Sequence, residues 1–214
     1  YGAYLKVNYP LEYYSVALTH YENDEKRTIK LTDELEYFNI TLKNPQFRYS
    51  KGEYFFDKES NSIYKGIGSI KFFNNNVGEQ LYSLRDNQYT RFEDLLEDIY
   101  EQTDCNSKHI SILIKIGFFE EFGNINKLLR IYEIFDELYN KKQITFKKAQ
   151  EVYNVTEEVL SQFGNNISEK TGKAGTTYKE LDWLGFVKYL VDRETFEEPT
   201  IATKIGYQLE HLGF

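Results

Sequence analysis

The sequence predicts a mainly α fold with one small β-hairpin, on three observations. Apolar residues recur at helical spacing in segment after segment, as in Phe92, Leu95, Leu96 and Ile99. Only one stretch pairs two β-prone runs, Tyr54-Phe55-Phe56 and Ile63-Tyr64, around a polar segment, Asp57 to Ser62. Of 214 residues 41% are apolar and 28% charged, enough for one large or two small cores and incompatible with bulk disorder.

Leu11–His20 reads as a helix opened by Pro10, whose fixed φ and missing N–H are harmless in a first turn. Asn23–Phe38 is a second, with Asp24 as its cap and Ile29, Leu31, Leu35 and Phe38 along one approximate face. Pro45 disfavours helix at Asn44 and breaks the run. The hairpin follows at about 53 to 65, with Phe55 and Ile63 packing on helices, and Gly66 and Gly68 end it. Val77–Leu84 is a short helix. Arg91–Gln102 sets its apolar stripe opposite a row of acids. Ser107–Ile116 carries Ile110, Leu113 and Ile114; Gly117 interrupts, and Gly123 closes a short Phe-rich turn. Ile125–Tyr139 is strongly amphipathic through Leu128, Leu129, Ile131, Tyr132, Phe135 and Leu138. Residues 140–177 are the most polar part, with a helical piece at Thr156–Phe163. Tyr178–Val191 is a helix around the lone Trp183, and Pro199–Leu212 is another, stopped by Gly213.

The composition narrows the function classes. No apolar stretch approaches the roughly 18 residues that span a bilayer, so no membrane role is expected. The single cysteine, Cys105, cannot form an internal disulfide, which fits a reducing cytosol and a cytoplasmic location. His20, His109 and His211 have no metal-ligand spacing. A formal charge of −8 provides no overall footprint for nucleic acid, so any such contact must be local. The 19 Tyr and 16 Phe read as coding bias toward A/T-rich codons rather than a stacking surface. A chain that starts at Tyr1 and holds no Met reads as a piece of a longer protein.

No catalytic constellation, metal site or cofactor motif emerges. Glu93, Asp94, Glu97, Asp98 and Glu101 alternate with an apolar stripe and read as a solvated face. Gly172-Lys173 has Ile167 and Ala174 where a phosphate loop needs Gly and Ser or Thr. Gly66-Ile67-Gly68 lacks the third glycine of a dinucleotide fingerprint and follows a hairpin. Cys105 and His109 stand four apart without a third partner.

Four stretches, in order, carry a resemblance. They are Ala3-Tyr-Leu-Lys-Val-Asn-Tyr-Pro10-Leu-Glu-Tyr-Tyr14; Ile63-Tyr-Lys-Gly66-Ile-Gly68-Ser-Ile70-Lys71; Ile112-Leu-Ile-Lys-Ile-Gly117-Phe-Phe119-Glu-Glu-Phe-Gly123-Asn124; and Tyr207-Gln-Leu-Glu210-His-Leu212-Gly213-Phe214. Together they resemble the alpha subunits of bacterial DNA polymerase III, the C-family replicative polymerases. The resemblance covers nearly the whole chain and is weakest over 140–200. It implies the end of the fingers over 1–68, a tandem helix-hairpin-helix region over 69–139 and a helical segment leading to an absent OB domain over 140–214. The family's polymerase aspartates and its N-terminal histidines lie outside these stretches. The implied piece therefore belongs to a nucleotidyltransferase of DNA replication without being catalytic itself. One departure stands out. The family reads I-K-G-V-G at its first hairpin, whereas Ile70-Lys71 is here followed by Phe72-Phe73-Asn74-Asn75-Asn76, which puts phosphate binding by that hairpin in doubt.

What the resemblance implies at residue level is a non-catalytic grip on duplex DNA through its phosphates. The second hairpin is the better candidate, with Gly117 and Gly123 shaping the turn and Lys115, Lys127 and Arg130 reaching phosphates. Against it stands a packing reading in which Phe118, Phe119 and Phe122 plug the core and Gly117 caps a helix. The alternative function is a protein adaptor without DNA binding of its own. The family often carries a short clamp-binding peptide in this interval, and Gln143-Ile144-Thr145-Phe146 is the candidate for tethering a sliding clamp, with Gln143, Ile144 and Phe146 as anchors. Its competing reading is a solvated basic turn with Ile144 and Phe146 tucked onto the domain.

Overall fold

Short polar side chains set the helix starts. Asp24, Asn74, Asn106, Asn124, Thr145, Thr156, Asp182 and Thr200 each accept a hydrogen bond from the backbone N–H three residues on, which satisfies a donor that the helix leaves open. The computed structural model describes residues 1–168, 172 and 174–213. In chain order the elements are α1 Gly2–Asn8, α2 Pro10–His20, α3 Glu25–Leu35, β1 Thr41–Lys43, β2 Phe55–Asp57, β3 Ser62–Tyr64, α4 Asn75–Ser83, α5 Phe92–Gln102, α6 Ser107–Lys115 and α7 Ile125–Leu138. Then come β4 Gln143–Thr145, α8 Phe146–Tyr153, α9 Glu157–Leu160, β5 Asn165–Ile167, β6 Ala174–Lys179, α10 Trp183–Asp192 and α11 Ile201–Leu212. The fold is mainly α, as the periodicity requires.

The expected hairpin is β2 against β3, with Phe55 opposite Tyr64 and Phe56 opposite Ile63. Ile63 is fully buried, whereas Phe55 is half-buried beside Tyr82. β1 joins β3 in parallel, pairing Leu42 with Ile63 and making β3 the central strand. Leu11, Tyr14, Leu18, Leu35, Ile40, Tyr54 and Ile63 form one buried cluster between this sheet and α2 and α3. Lys6, Tyr14 and Glu34 tie α1, α2 and α3 together, with Lys6 Nζ 2.6 Å and Tyr14 Oη 2.9 Å from the Glu34 carboxylate.

A second cluster runs without a break from Phe47 and Ile67 through α4 to α7 and on to Ile144, Tyr153, Tyr178 and Val191. It contains what the polar composition of 140–177 concealed: a second three-stranded sheet, with β6 between β4 and β5 and Ile144 opposite Tyr178. Tyr178 thus lies in a strand, and the helix expected there begins at Trp183. α1, β1 and α8 were likewise not expected. Strands of three residues are too short to show a period, and in β4 only Ile144 faces inward. Asn39 and Asn154 end their helices in the left-handed conformation, φ 54° and 49°, which Asn tolerates better than most residues.

A candidate nucleic-acid interface

Two turns on the second core lead into helices. Residues 70–74 join the short 3-10 turn Ile67–Ser69 to α4, and residues 116–124 join α6 to α7. The second turn is built around aromatic rings. Phe118 and Phe119 are buried, and Phe47 enters from the loop after β1 with ring centroids 6.1 to 6.3 Å from Phe118, Phe119 and Phe122. The Phe47 N–H donates to the Phe118 carbonyl at 2.9 Å. Gln46 Nε2 donates to Glu120 at 2.9 Å, and Arg48 Nε donates to both Glu121 oxygens at 2.9 and 3.0 Å. Loop 46–48 is therefore a strap across the turn, so the phenylalanines do plug the core beneath it.

Gly117, at φ 83°, and Gly123, at φ 142°, hold backbone conformations that a side chain resists. The amides of Gly117, Phe118, Glu120, Phe122 and Gly123 donate to carbonyls within 113–120. Those amides are therefore engaged within the turn, and two lysines stand beside it. Lys115 is half-buried, its Nζ 5.4 Å from the centre of the Tyr207 ring on α11. It lines a groove of about 370 Å³ with Gly117, Gly123, Lys204 and Gln208. Lys127 lies across Gly123 and faces a cavity of about 580 Å³ that Arg91, Glu93, Asp192 and Glu194 also line. Among the described residues neither lysine pairs with a carboxylate.

Arg130 differs from the expected role. Its guanidinium lies 3.1 Å from both oxygens of Glu194 and 2.7 Å from Glu133, and these carboxylates raise its pKa. A phosphate would have to displace them. The acids of α5 are not simply solvated either. Glu93 is 2% exposed and paired with Arg91 at 2.7 Å, Asp94 meets Lys188 at 2.5 Å, and Asp98 accepts from Tyr89 at 2.5 Å. No His/Cys/Asp/Glu group suited to a metal occurs among the described residues. Burial pushes the Cys105 thiol up to about 11, which leaves it unreactive.

The clamp candidate is partly engaged by the domain's own packing. Ile144 is 4% exposed within β4, and Phe146 opens α8 half-buried against the same core, while Gln143 alone of the three is exposed. Of the two apolar anchors, Ile144 is taken up by the core, which leaves the half-buried Phe146 and the exposed Gln143 as the accessible part of the segment. Lys173 of the rejected phosphate-loop reading, and Phe214 at the end of the fourth motif, lie outside the described residues.

The first turn holds a bulky residue in the left-handed region of backbone conformation. Phe72, directly after Ile70-Lys71 where the resembling family has Gly, takes φ 77°. Its carbonyl oxygen lies 3.0 Å from His109 Nε2, and His109 Nδ1 accepts the Asn106 N–H at 3.3 Å, so Nε2 carries the proton and donates to Phe72. Behind the turn, Gly52, Gly66, Gly68 and Gly78 allow backbones to touch: a Cβ on Gly78 would stand 2.5 Å from Gly52 Cα. Arg48 and Phe47 had escaped notice in the sequence, because a strap residue carries no periodic signal, and His109 was weighed there only as a metal ligand or a partner of Cys105.

Comparison with known proteins agrees with this geometry. The helix-hairpin-helix motif family matches residues 39–128, the span that holds both turns. The chain is 30% identical to DNA polymerase III subunit alpha of Ureaplasma parvum over 65% of its residues and 14% of that protein. It is 29% identical to the subunit of Campylobacter jejuni over 99% of its residues and 16% of that protein. With the subunit of Treponema pallidum the identity is 24% over 98% of the chain and 18% of that protein. The chain thus spans about a sixth of the length of the curated relatives it matches. Four ordered motifs, a helix-hairpin-helix match over both turns and similarity running from end to end make this chain similar to the DNA polymerase III alpha subunits along its length.

Proposed function

We propose that this chain is a non-catalytic segment that grips duplex DNA through its phosphates within a replicative polymerase, whose catalytic aspartates lie elsewhere in the longer protein. One observation carries the reading. Arg48, Arg91, Arg130 and Lys188 around the second turn are all committed to carboxylates, whereas Lys115 and Lys127, which flank that turn, pair with none among the described residues. Ammonium groups held beside a rigid turn meet phosphates without reading bases, as a protein sliding along a duplex requires. The division into 1–68, 69–139 and 140–214 belongs to the same proposal. The separate cluster of Leu11 to Ile63 sets the first part off, while the second core takes in Phe47 and Ile67 from that part and runs on to Val191, which makes the latter two parts one body.

The experiment is duplex binding by the double variant Lys115→Ala with Lys127→Ala. Affinity falls about equally for unrelated duplex sequences, and the slope of log K on log salt shrinks by roughly two. A double variant that binds as the wild type does overturns the reading.

A further inference from the structure

The first turn presents an aromatic ring where a phosphate-binding turn would present bare backbone. Phe72 is 55% exposed at φ 77°, a conformation that a bulky residue rarely adopts. Its neighbour Phe73 takes the inward place, 4.5 Å from the His109 ring, and the His109 bond to the Phe72 carbonyl fixes the backbone between them. The Phe72 ring therefore stays outside. Two ammonium groups attend it, Lys108 Nζ at 3.2 Å and Lys71 Nζ at 5.2 Å from the ring centre. Both lysines are exposed, and neither pairs with a carboxylate among the described residues. Asn74, Asn75 and Asn76 follow without a charge, and Asp104, on the loop before α6, is engaged by Asn76 at 3.2 Å and Gln80 at 2.8 Å. In a chain of charge −8, a strained, exposed ring between two such cations is a local site of the opposite character.

We propose that this turn is a stacking site for an unpaired nucleobase, with the Phe72 ring on the base and Lys71 and Lys108 on the adjoining phosphates. Aromatic rings interleaved with cations are the chemistry that holds single strands, because every base has a π face and every linkage a charge. The backbone strain at Phe72 is consistent with a residue kept for what it binds rather than for how it folds. The inference rests on the DNA reading above and adds to it. The second turn holds duplex by charge alone, and the first holds an unpaired base beside that duplex.

The test compares a blunt duplex with the same duplex bearing an unpaired overhang that carries 2-aminopurine, using the chain and its Phe72→Gly variant. The wild type binds the overhang substrate about tenfold more tightly than the blunt one and quenches the fluorophore. Phe72→Gly loses both effects while its melting temperature stays level or rises, since glycine accepts this φ freely. A Phe72→Gly variant that keeps the overhang preference, or binds more tightly than wild type as an amide–phosphate turn would, overturns the stacking site. If the wild type binds blunt duplex but shows no overhang preference, this inference alone falls. If it binds neither substrate, the DNA reading falls with it.

Discussion

Arg48 Nε lies 2.9 Å from Glu121 Oε1, and the same guanidinium donates to the carbonyl oxygens of Arg85 and Asn87. One side chain thus joins the loop after β1, the segment after α4 and the turn between α6 and α7. Hydrogen bonds to charged groups contribute about 1.5–3 kcal/mol, so Arg48→Ala is expected to lower unfolding free energy by that amount in urea titration. Arg48→Lys does not restore it, because an ammonium cannot fork across a carboxylate and two carbonyls at once. A variant within about 0.5 kcal/mol of wild type, the range of an ordinary surface change, contradicts the role of the strap.

The glycines divide by what surrounds them. A Cβ on Gly78 would meet Gly52 Cα at 2.5 Å and Gly52 N at 2.6 Å, backbone that cannot step aside. Gly206, inside α11, has nothing within 4 Å. Gly78→Ala is expected to cost about 1–3 kcal/mol by overpacking. Gly206→Ala should stabilise by about 0.5–1 kcal/mol through helix propensity. Thermal melts that shift both variants in the same direction contradict this packing.

Backbone conformation separates a second pair. Gly123 sits at φ 142° and ψ −176°, a region essentially closed to other residues, whereas Gly175 has no positive φ. Gly123→Val lowers the melting temperature clearly more than Gly175→Val does. Gly172 does not serve as the neutral control that its polar surroundings suggest, because it too has a positive φ, 62°. Equal melting shifts at 123 and 175 contradict the turn assignment.

Burial lowers the Lys65 pKa from 10.5 to about 8. Between those values the unfolded chain holds a proton that the folded chain has released, so stability rises with pH across that window. The stability of wild type relative to Lys65→Met is expected to increase between about pH 8 and 10.5, measured by urea unfolding. A pH-independent difference contradicts it.

The sequence made most of the helices legible because they are long enough to repeat their pattern. α7 shows its inward face through Leu128, Ile131, Phe135 and Leu138 at helical spacing, and all four are buried. The β2–β3 hairpin was legible because two β-prone runs bracket a polar turn. β4 and β5 were not, since three residues show no period and only the fold sets Ile144 opposite Tyr178 and Asn165 opposite Lys179. The candidate site shows the same limit. The positive φ of Gly117 and Gly123 follows from local turn chemistry, but Glu194 claims Arg130 from 64 residues away, and only the fold reveals it.

Salt dependence of duplex binding tests the central claim most directly. Measured between about 50 and 200 mM salt, log K should fall linearly with log salt at about −0.9 per phosphate contacted. On blunt duplex Lys115 and Lys127 give a slope near −2, and an unpaired overhang that engages Lys71 and Lys108 steepens it toward about −3. Binding that is flat in salt, or no binding to duplex at low salt, contradicts a phosphate-gripping segment.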